Sequence, residues 1–66
     1  MQDRITLRAA RYIAGKTQAE TAKALNITKN TLIKWESGAV YPRFDQFVKL
    51  CRFYGVTLSD IFMPVD

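Results

Sequence analysis

The segment from Lys29 to Ser37 carries both hydrogen-bonding and apolar side chains on one side of a predicted helix. At 100° per residue, Leu32, Trp35 and Glu36 point inward. The side chains left outward or at the flanks are Lys29, Asn30, Thr31, Ile33, Lys34 and Ser37. Lysine can donate to guanine O6 and N7, asparagine can pair with adenine N6 and N7, and methyl groups can contact thymine. We expect base contacts from Lys29, Asn30, Thr31, Ile33 and Lys34.

A solvated polar helix face is the alternative interpretation of this segment. The β-branched apolar side chain of Ile33 on that outward face favours a contact over simple solvation. Phosphate contacts should then flank the helix. Gln18 lies where a helix begins and free backbone N–H groups attract anions. The candidates for contacts with the DNA backbone are Gln18, Thr28, Ser37 and Arg43.

Several of these residues have a competing role. The hydroxyl of Thr28 could simply cap a helix, and Arg43 could instead reach the minor groove. Lys16 and Lys23 are interpreted as solubilising charges. Trp35 is expected in the core, although its indole N–H could reach a phosphate.

The residue inventory argues against catalysis. The chain has no histidine and one cysteine, Cys51, so Cys–His and Ser–His nucleophile arrangements and a zinc site are excluded. Its six acidic residues show no pairing at a useful spacing. We therefore expect a protein that is not an enzyme, with no metal, no cofactor and no small-molecule ligand.

Charge is distributed unevenly along the 66 residues, which suffice for one domain. Residues 1–43 carry eight Lys/Arg and three acids, and residues 44–66 carry two and three, giving +5 and −1. A basic first part suits a polyanion, whereas ten basic residues against six acids are too balanced for nonspecific architectural binding. No apolar run approaches a membrane span, so we expect a cytoplasmic, nucleoid-associated protein without membrane contact.

The pattern predicts an all-α fold, a compact bundle of five short helices forming a single domain over residues 1–66. Helices are expected over Arg4–Ala14, Gln18–Leu25, Lys29–Ser37 and Phe44–Tyr54, with a last short helix capped by Thr57 and Asp60. The fourth helix carries an apolar stripe at i, i+3, i+4 and i+7, formed by Phe47, Leu50, Cys51 and Tyr54. On that stripe Cys51 is interpreted as a small apolar residue.

The stretch from Gln18 to Ser37 meets several independent conditions for two helices crossing at a steep angle. Ala22 is small enough for a close helix contact. Asn26 tolerates a positive φ in the turn, and Ile27 can plug it. Thr17 with Glu20 predicts a capping box for the helix that begins at Gln18.

These residues resemble the phage repressor/Cro-like (XRE-type) helix-turn-helix DNA-binding family over about residues 4–62. The matching stretches are Arg11 before Gly15, TQAETAKALNIT, WESG, Pro42 and GVTL. Asn26 stands where glycine is usual, and Thr21 where an apolar residue is preferred. The resemblance implies a lambda-repressor-like domain whose helix 29–37 enters the DNA major groove.

The resemblance also implies an internal ion pair. Glu36 is an acid on an inward face and needs a partner there. The family pattern supplies Arg11. The alternative is that Glu36 accepts a hydrogen bond from cytosine N4.

Together these observations predict a sequence-specific transcriptional regulator, most simply a repressor that binds a double-stranded DNA operator. Such proteins usually bind as homodimers with recognition helices one DNA turn apart. A dimer would use the surface near the last two helices and the tail, where Phe53, Met63 and Val65 are apolar candidates. The alternative is a protein-interaction module of the same fold, an antitoxin or anti-repressor component whose DNA binding is secondary.

Overall fold

In a computed structural model, which describes residues 4–63, the chain forms four α-helices and a final 3-10 turn. The helices are α1 (Leu7–Ile13), α2 (Gln18–Leu25), α3 (Lys29–Ser37) and α4 (Phe44–Tyr54), and the turn is Leu58–Asp60. The predicted all-α class is confirmed, and the bounds predicted for the second, third and fourth helices match. The count of five helices is wrong, because the last element is a single 3-10 turn.

The N-terminus of α2 is fixed by the capping box that the sequence predicted. The hydroxyl of Thr17 accepts from the backbone N–H of Glu20 at 3.0 Å, and the Glu20 carboxylate accepts from the Thr17 N–H at 2.9 Å. This backbone contact lowers the pKa of Glu20. Thr28 caps α3 in the same way, accepting from the N–H of Thr31 at 3.1 Å.

The turn between α2 and α3 depends on Asn26. Its φ of 57° and ψ of 45° place it in the left-handed region. The backbone N–H of Ile27 then donates to the Ala22 carbonyl at 3.0 Å. Ile27 packs, half-buried, against the core. The chain therefore changes direction between α2 and α3 within a few residues, and the two helices cross in close contact.

The first helix begins later than its sequence pattern indicated, at Leu7 instead of Arg4. The hydroxyl of Thr6 accepts from the Ala9 N–H at 3.0 Å and caps α1. Ile5 is extended because it forms an isolated parallel bridge with Ile61. The Ile5 N–H donates to the Asp60 carbonyl at 2.9 Å, and the Phe62 N–H donates to the Ile5 carbonyl at 2.7 Å. These bonds tie the two ends of the described chain together and stop the last turn from continuing as a helix.

The core lies between the four helices and the 3-10 turn. Its buried members are Leu7, Ala10, Leu32, Trp35, Leu50, Cys51, Tyr54 and Ile61. Burial raises the pKa of the Cys51 thiol, as expected for a residue that packs as a small apolar group. Phe53 and Met63 pack half-buried against this core. Both were apolar candidates for a dimer surface, and the third candidate, Val65, lies outside the described residues.

Thr21 is fully buried at a position where an apolar residue was preferred. Its hydroxyl donates to the Thr17 carbonyl at 2.9 Å and lies 3.5 Å from the Tyr54 hydroxyl of α4. The polar atom is therefore satisfied inside the core. Among residues 4–63, no helix has the length and apolar character needed to cross a bilayer.

The left-handed turn makes a direct stability prediction. Replacing Asn26 by alanine should lower the free energy of unfolding by about 1 kcal/mol, because alanine tolerates the left-handed conformation less well than asparagine does. Replacing Asn26 by glycine should leave stability within about 0.5 kcal/mol of the parent. Urea unfolding of both variants tests this. Equal stability of the two would show that the turn does not depend on the left-handed residue.

Candidate nucleic-acid interface

The packing of the inward side chains of α3 in the core fixes the orientation of its outward face. Leu32 is fully buried and Trp35 nearly so, and both belong to the core. Lys29, Asn30, Ile33 and Lys34 are exposed on the other side, while Thr31 is half-buried. The side chain of Ile33 is 41% exposed. The inward and outward assignments from 100° per residue therefore agree with the structure.

Arg11 and Glu36 form an ion pair between the end of α1 and the last turn of α3. Arg11 Nε lies 2.8 Å from Glu36 Oε2, with 8% and 6% of the two side chains exposed. Arg11 Nη1 also donates to the Lys16 carbonyl at 3.1 Å, in the connection between α1 and α2. The hydrogen bond from Arg11 to Glu36 raises the pKa of the guanidinium, and burial only partly offsets this.

Gln18 is a third member of this network, and its role there was not foreseen from the sequence. Its Nε2 donates to Glu36 Oε1 at 3.1 Å, so the two carboxylate oxygens bind residues from two different elements. The first residue of α2 is thereby fixed against the last turn of α3. No pattern in the chain signals this bond, because it depends on how the two helices cross.

A groove runs from the end of α1, past the start of α2, to the outward face of α3. Gln18, Lys29, Ile33 and Ser37, four of the predicted contact residues, line it. The other lining residues are Arg8, Arg11, Tyr12, Gly15, Lys16, Thr17, Ala19 and Glu36. The structure does not bring Asn30, Thr31, Lys34, Thr28 or Arg43 into this groove.

The hydroxyls of Thr28 and Thr31 lie 2.8 Å apart at the start of α3. One hydroxyl proton is used in this mutual bond, whichever residue donates. The other proton can therefore be donated to an outside acceptor while Thr28 keeps its capping bond. Capping by Thr28 is therefore compatible with a phosphate contact made by the Thr28–Thr31 hydroxyl pair.

Ser37 and Arg43 differ in how free their side chains are. The Ser37 hydroxyl donates to the Lys34 carbonyl at 3.1 Å, so a phosphate would compete with the end of α3 for it. Arg43 stands at the N-cap of α4 with 79% of its side chain exposed. Its Nε lies 3.6 Å from Asp45 Oδ1, a surface pair that is worth little and is easily exchanged.

Arg8 and Tyr12 also line the groove but were not among the predicted contact residues. The Arg8 guanidinium carbon lies 5.6 Å from the centroid of the Tyr12 ring, and that of Arg11 lies 5.0 Å away. The available signal was the i, i+4 spacing of Arg8 and Tyr12 on a face of α1 without core residues. That spacing alone also fits a solvated helix surface.

Two helices joined by a tight turn, the second with a polar outward face, define a helix-turn-helix domain. The helix-turn-helix family profile matches residues 7–61, and the chain belongs to this family. The resemblance to phage repressor/Cro-like proteins is thereby confirmed.

The chain is also similar to individual transcriptional regulators. It is 33% identical over 60 residues to an uncharacterised HTH-type transcriptional regulator of Methanocaldococcus jannaschii, covering 91% of each chain. It is 34% identical over 44 residues to the cryptic phage CTXphi transcriptional repressor RstR of Vibrio cholerae, covering 67% of this chain and 40% of the repressor. The HTH-type transcriptional activator BcrR of Enterococcus faecalis is 31% identical over 45 residues, 68% of this chain and 22% of the activator. No solved structure gave a significant match.

The buried pair predicts a large stability effect. Glu36→Ala should lower the free energy of unfolding by about 3 kcal/mol, because it strands the Arg11 charge. The double variant Arg11→Met/Glu36→Met should recover most of that loss, since neither charge is left unpaired. Thermal and urea unfolding measure both. An unchanged melting temperature for Glu36→Ala would show that the pair does not hold α1 and α3 together.

Proposed function

We propose that this protein is a sequence-specific double-stranded DNA-binding transcriptional regulator that inserts α3 into the major groove of an operator half-site. The observation that carries the proposal is the division of α3 into two faces. Leu32, Trp35 and Glu36 fix one face in the domain, and the other presents exposed lysine, asparagine and isoleucine. A rigidly held helix with such a face can align several side chains with base edges at once.

Direct readout comes from the outward side chains. Lys29 and Lys34 donate to guanine O6 and N7, and Asn30 pairs with adenine N6 and N7. Thr31 and Ile33 contact thymine methyl groups. Each well-placed bidentate pair discriminates against a wrong base by about 1–3 kcal/mol.

Backbone contacts set the register of α3 in the groove. Gln18 carries the anion-attracting start of α2, and its amide is already oriented by Glu36. Thr28 and Thr31 together keep one hydroxyl proton available for a phosphate, since only one of the two protons is used in their mutual bond. Ser37 and Arg43 lie near the other end of α3. They bind the DNA backbone on the far side of the groove.

We assign the regulator a repressor role. A domain bound across a promoter excludes polymerase by occupancy alone, whereas activation needs a further surface that contacts polymerase. The phage repressor among the relatives supports this assignment, while the activator shows that the same kind of domain also serves the other role.

Two copies bind the operator, with their α3 helices roughly 34–36 Å apart on successive turns. Apolar surface for a second copy remains after Phe53 and Met63 are assigned to the core. Phe44 at the start of α4 is 72% exposed, and Phe62 beside the 3-10 turn is 47% exposed.

Selection from a random duplex pool tests the proposal. The parent should enrich a short motif, and an inverted repeat would give the half-site spacing. Asn30→Ala and Lys34→Ala should each weaken binding to the selected duplex, relax preference at one or two base pairs by about 1–3 kcal/mol, and leave the melting temperature unchanged.

The control is Lys49→Ala, which removes an exposed charge from α4 outside the groove. If Asn30→Ala and Lys34→Ala select the same motif with the same affinity as this control, α3 does not read the bases. If the parent enriches no motif and its weak binding vanishes with salt, the protein-interaction alternative is favoured.

Gln18 makes a separate prediction. Gln18→Ala should weaken binding to the selected duplex and to unrelated duplexes by a similar factor, because a phosphate contact carries no sequence information. It should also lower the melting temperature slightly, since Glu36 loses one hydrogen bond. Titrations on both duplexes, with thermal unfolding, check this. A loss confined to the selected sequence would instead make Gln18 a base-reading residue.

A further inference from the structure

One side of α1 carries a basic and aromatic cluster that the base-reading and backbone contacts above do not use. Tyr12 is 63% exposed, and the guanidinium groups of Arg8 and Arg11 lie near its ring. Arg11 is bound to Glu36, so its charge is largely offset. Arg8 is exposed, and no acidic residue other than Glu36 lines the groove beside it.

This cluster forms one rim of the groove that ends at the outward face of α3. Lys16, Lys29 and Gln18 lie along the same groove. Four basic residues and one acid line it, and that acid is already paired with Arg11. A polyanion whose bases contact α3 would therefore meet a positive surface at α1.

We propose that Arg8 and Tyr12 bind the phosphodiester backbone of the DNA strand flanking α3, so that α1 is a third element of the interface. This inference rests on the proposed function, because α3 must be the helix that enters the major groove. The partner group is the phosphate of a DNA duplex, and the contact is independent of sequence.

The geometry suits phosphate for two reasons. A guanidinium offers a fork of N–H donors that matches two phosphate oxygens, and the Tyr12 hydroxyl is a neutral donor one helical turn away. The ring beside Arg8 also restrains the guanidinium, so less side-chain freedom is lost on binding. The side-chain hydrogen bond with Arg8, together with the charges of Arg8 and Arg11, lowers the pKa of Tyr12, which makes its hydroxyl a stronger donor.

A purely structural role for the cluster makes a different prediction. As a cation–π pair at i, i+4 it would stabilise the seven-residue helix α1 and do nothing on DNA. Tyr12→Phe separates the two roles, because it keeps the ring and removes only the hydroxyl. Arg8→Ala removes the charge, and Lys49→Ala again removes an equal charge outside the groove.

The experiment measures affinity for the selected duplex and for an unrelated duplex over a range of salt, together with the melting temperature. Arg8→Ala should weaken binding to both duplexes about tenfold and reduce the salt slope by about one, since one phosphate no longer has a cationic partner. Tyr12→Phe should weaken both about threefold to tenfold, with an unchanged salt slope and melting temperature. Lys49→Ala should leave the slope near that of the parent.

Two outcomes would overturn the inference. Arg8→Ala could match Lys49→Ala in affinity and slope, or Tyr12→Phe and Arg8→Ala could change only the melting temperature. Failure of the proposed function looks different, because the parent itself would then prefer no sequence. Even in that case, a drop in nonspecific affinity for Arg8→Ala but not for Lys49→Ala would support the phosphate contact. A parent that binds no duplex would overturn both.

Discussion

The buried bond between Arg11 and Glu36 joins α1 to α3, and Gln18 extends the network to α2. One carboxylate oxygen binds the guanidinium at the end of α1, and the other binds the Gln18 amide at the start of α2. The same guanidinium binds the Lys16 carbonyl in the connection between those helices. Because Glu36 belongs to the last turn of α3, the orientation of its outward face follows from these bonds. Any residue that reads DNA from α3 does so in a frame set by this network.

The same network couples the stability of the domain to its interface. Gln18 is oriented by Glu36 and also stands at the start of α2, where phosphate is expected to bind. A change at Glu36 therefore releases Gln18, a proposed DNA-backbone contact, as well as stranding the Arg11 charge. On the proposed function, a variant on the outward face of α3 should therefore change binding alone, whereas a variant in the network should change binding and folding together.

Local signals in the sequence predicted much of this structure. Thr17 with Glu20, Asn26 and Thr28 each act on residues close by in the chain, so the bounds of α2 and the start of α3 followed from them. Thr6 is an equally local cap, but the helical pattern before it hid the later start of α1. The Ile5–Ile61 bridge and the Gln18–Glu36 bond join residues far apart in the chain. Periodicity and capping rules contain no information about contacts between residues far apart in the chain. The bridge and the hydrogen bond could therefore be found only in the structure.

The choice of an ion pair over apolar residues at this position has a physical reason. Apolar residues of similar volume often stabilise a core as well as a buried pair does, since desolvating two charges is costly. A methionine at Glu36 would still pack, but it could accept no strong bond from Arg11 or Gln18. The helices would then be held by contacts that do not fix their rotation. Directional bonds to two elements restrict α3 to one orientation. On the proposed function, the side chains of α3 meet several base edges together, and that task needs the restriction more than it needs additional stability.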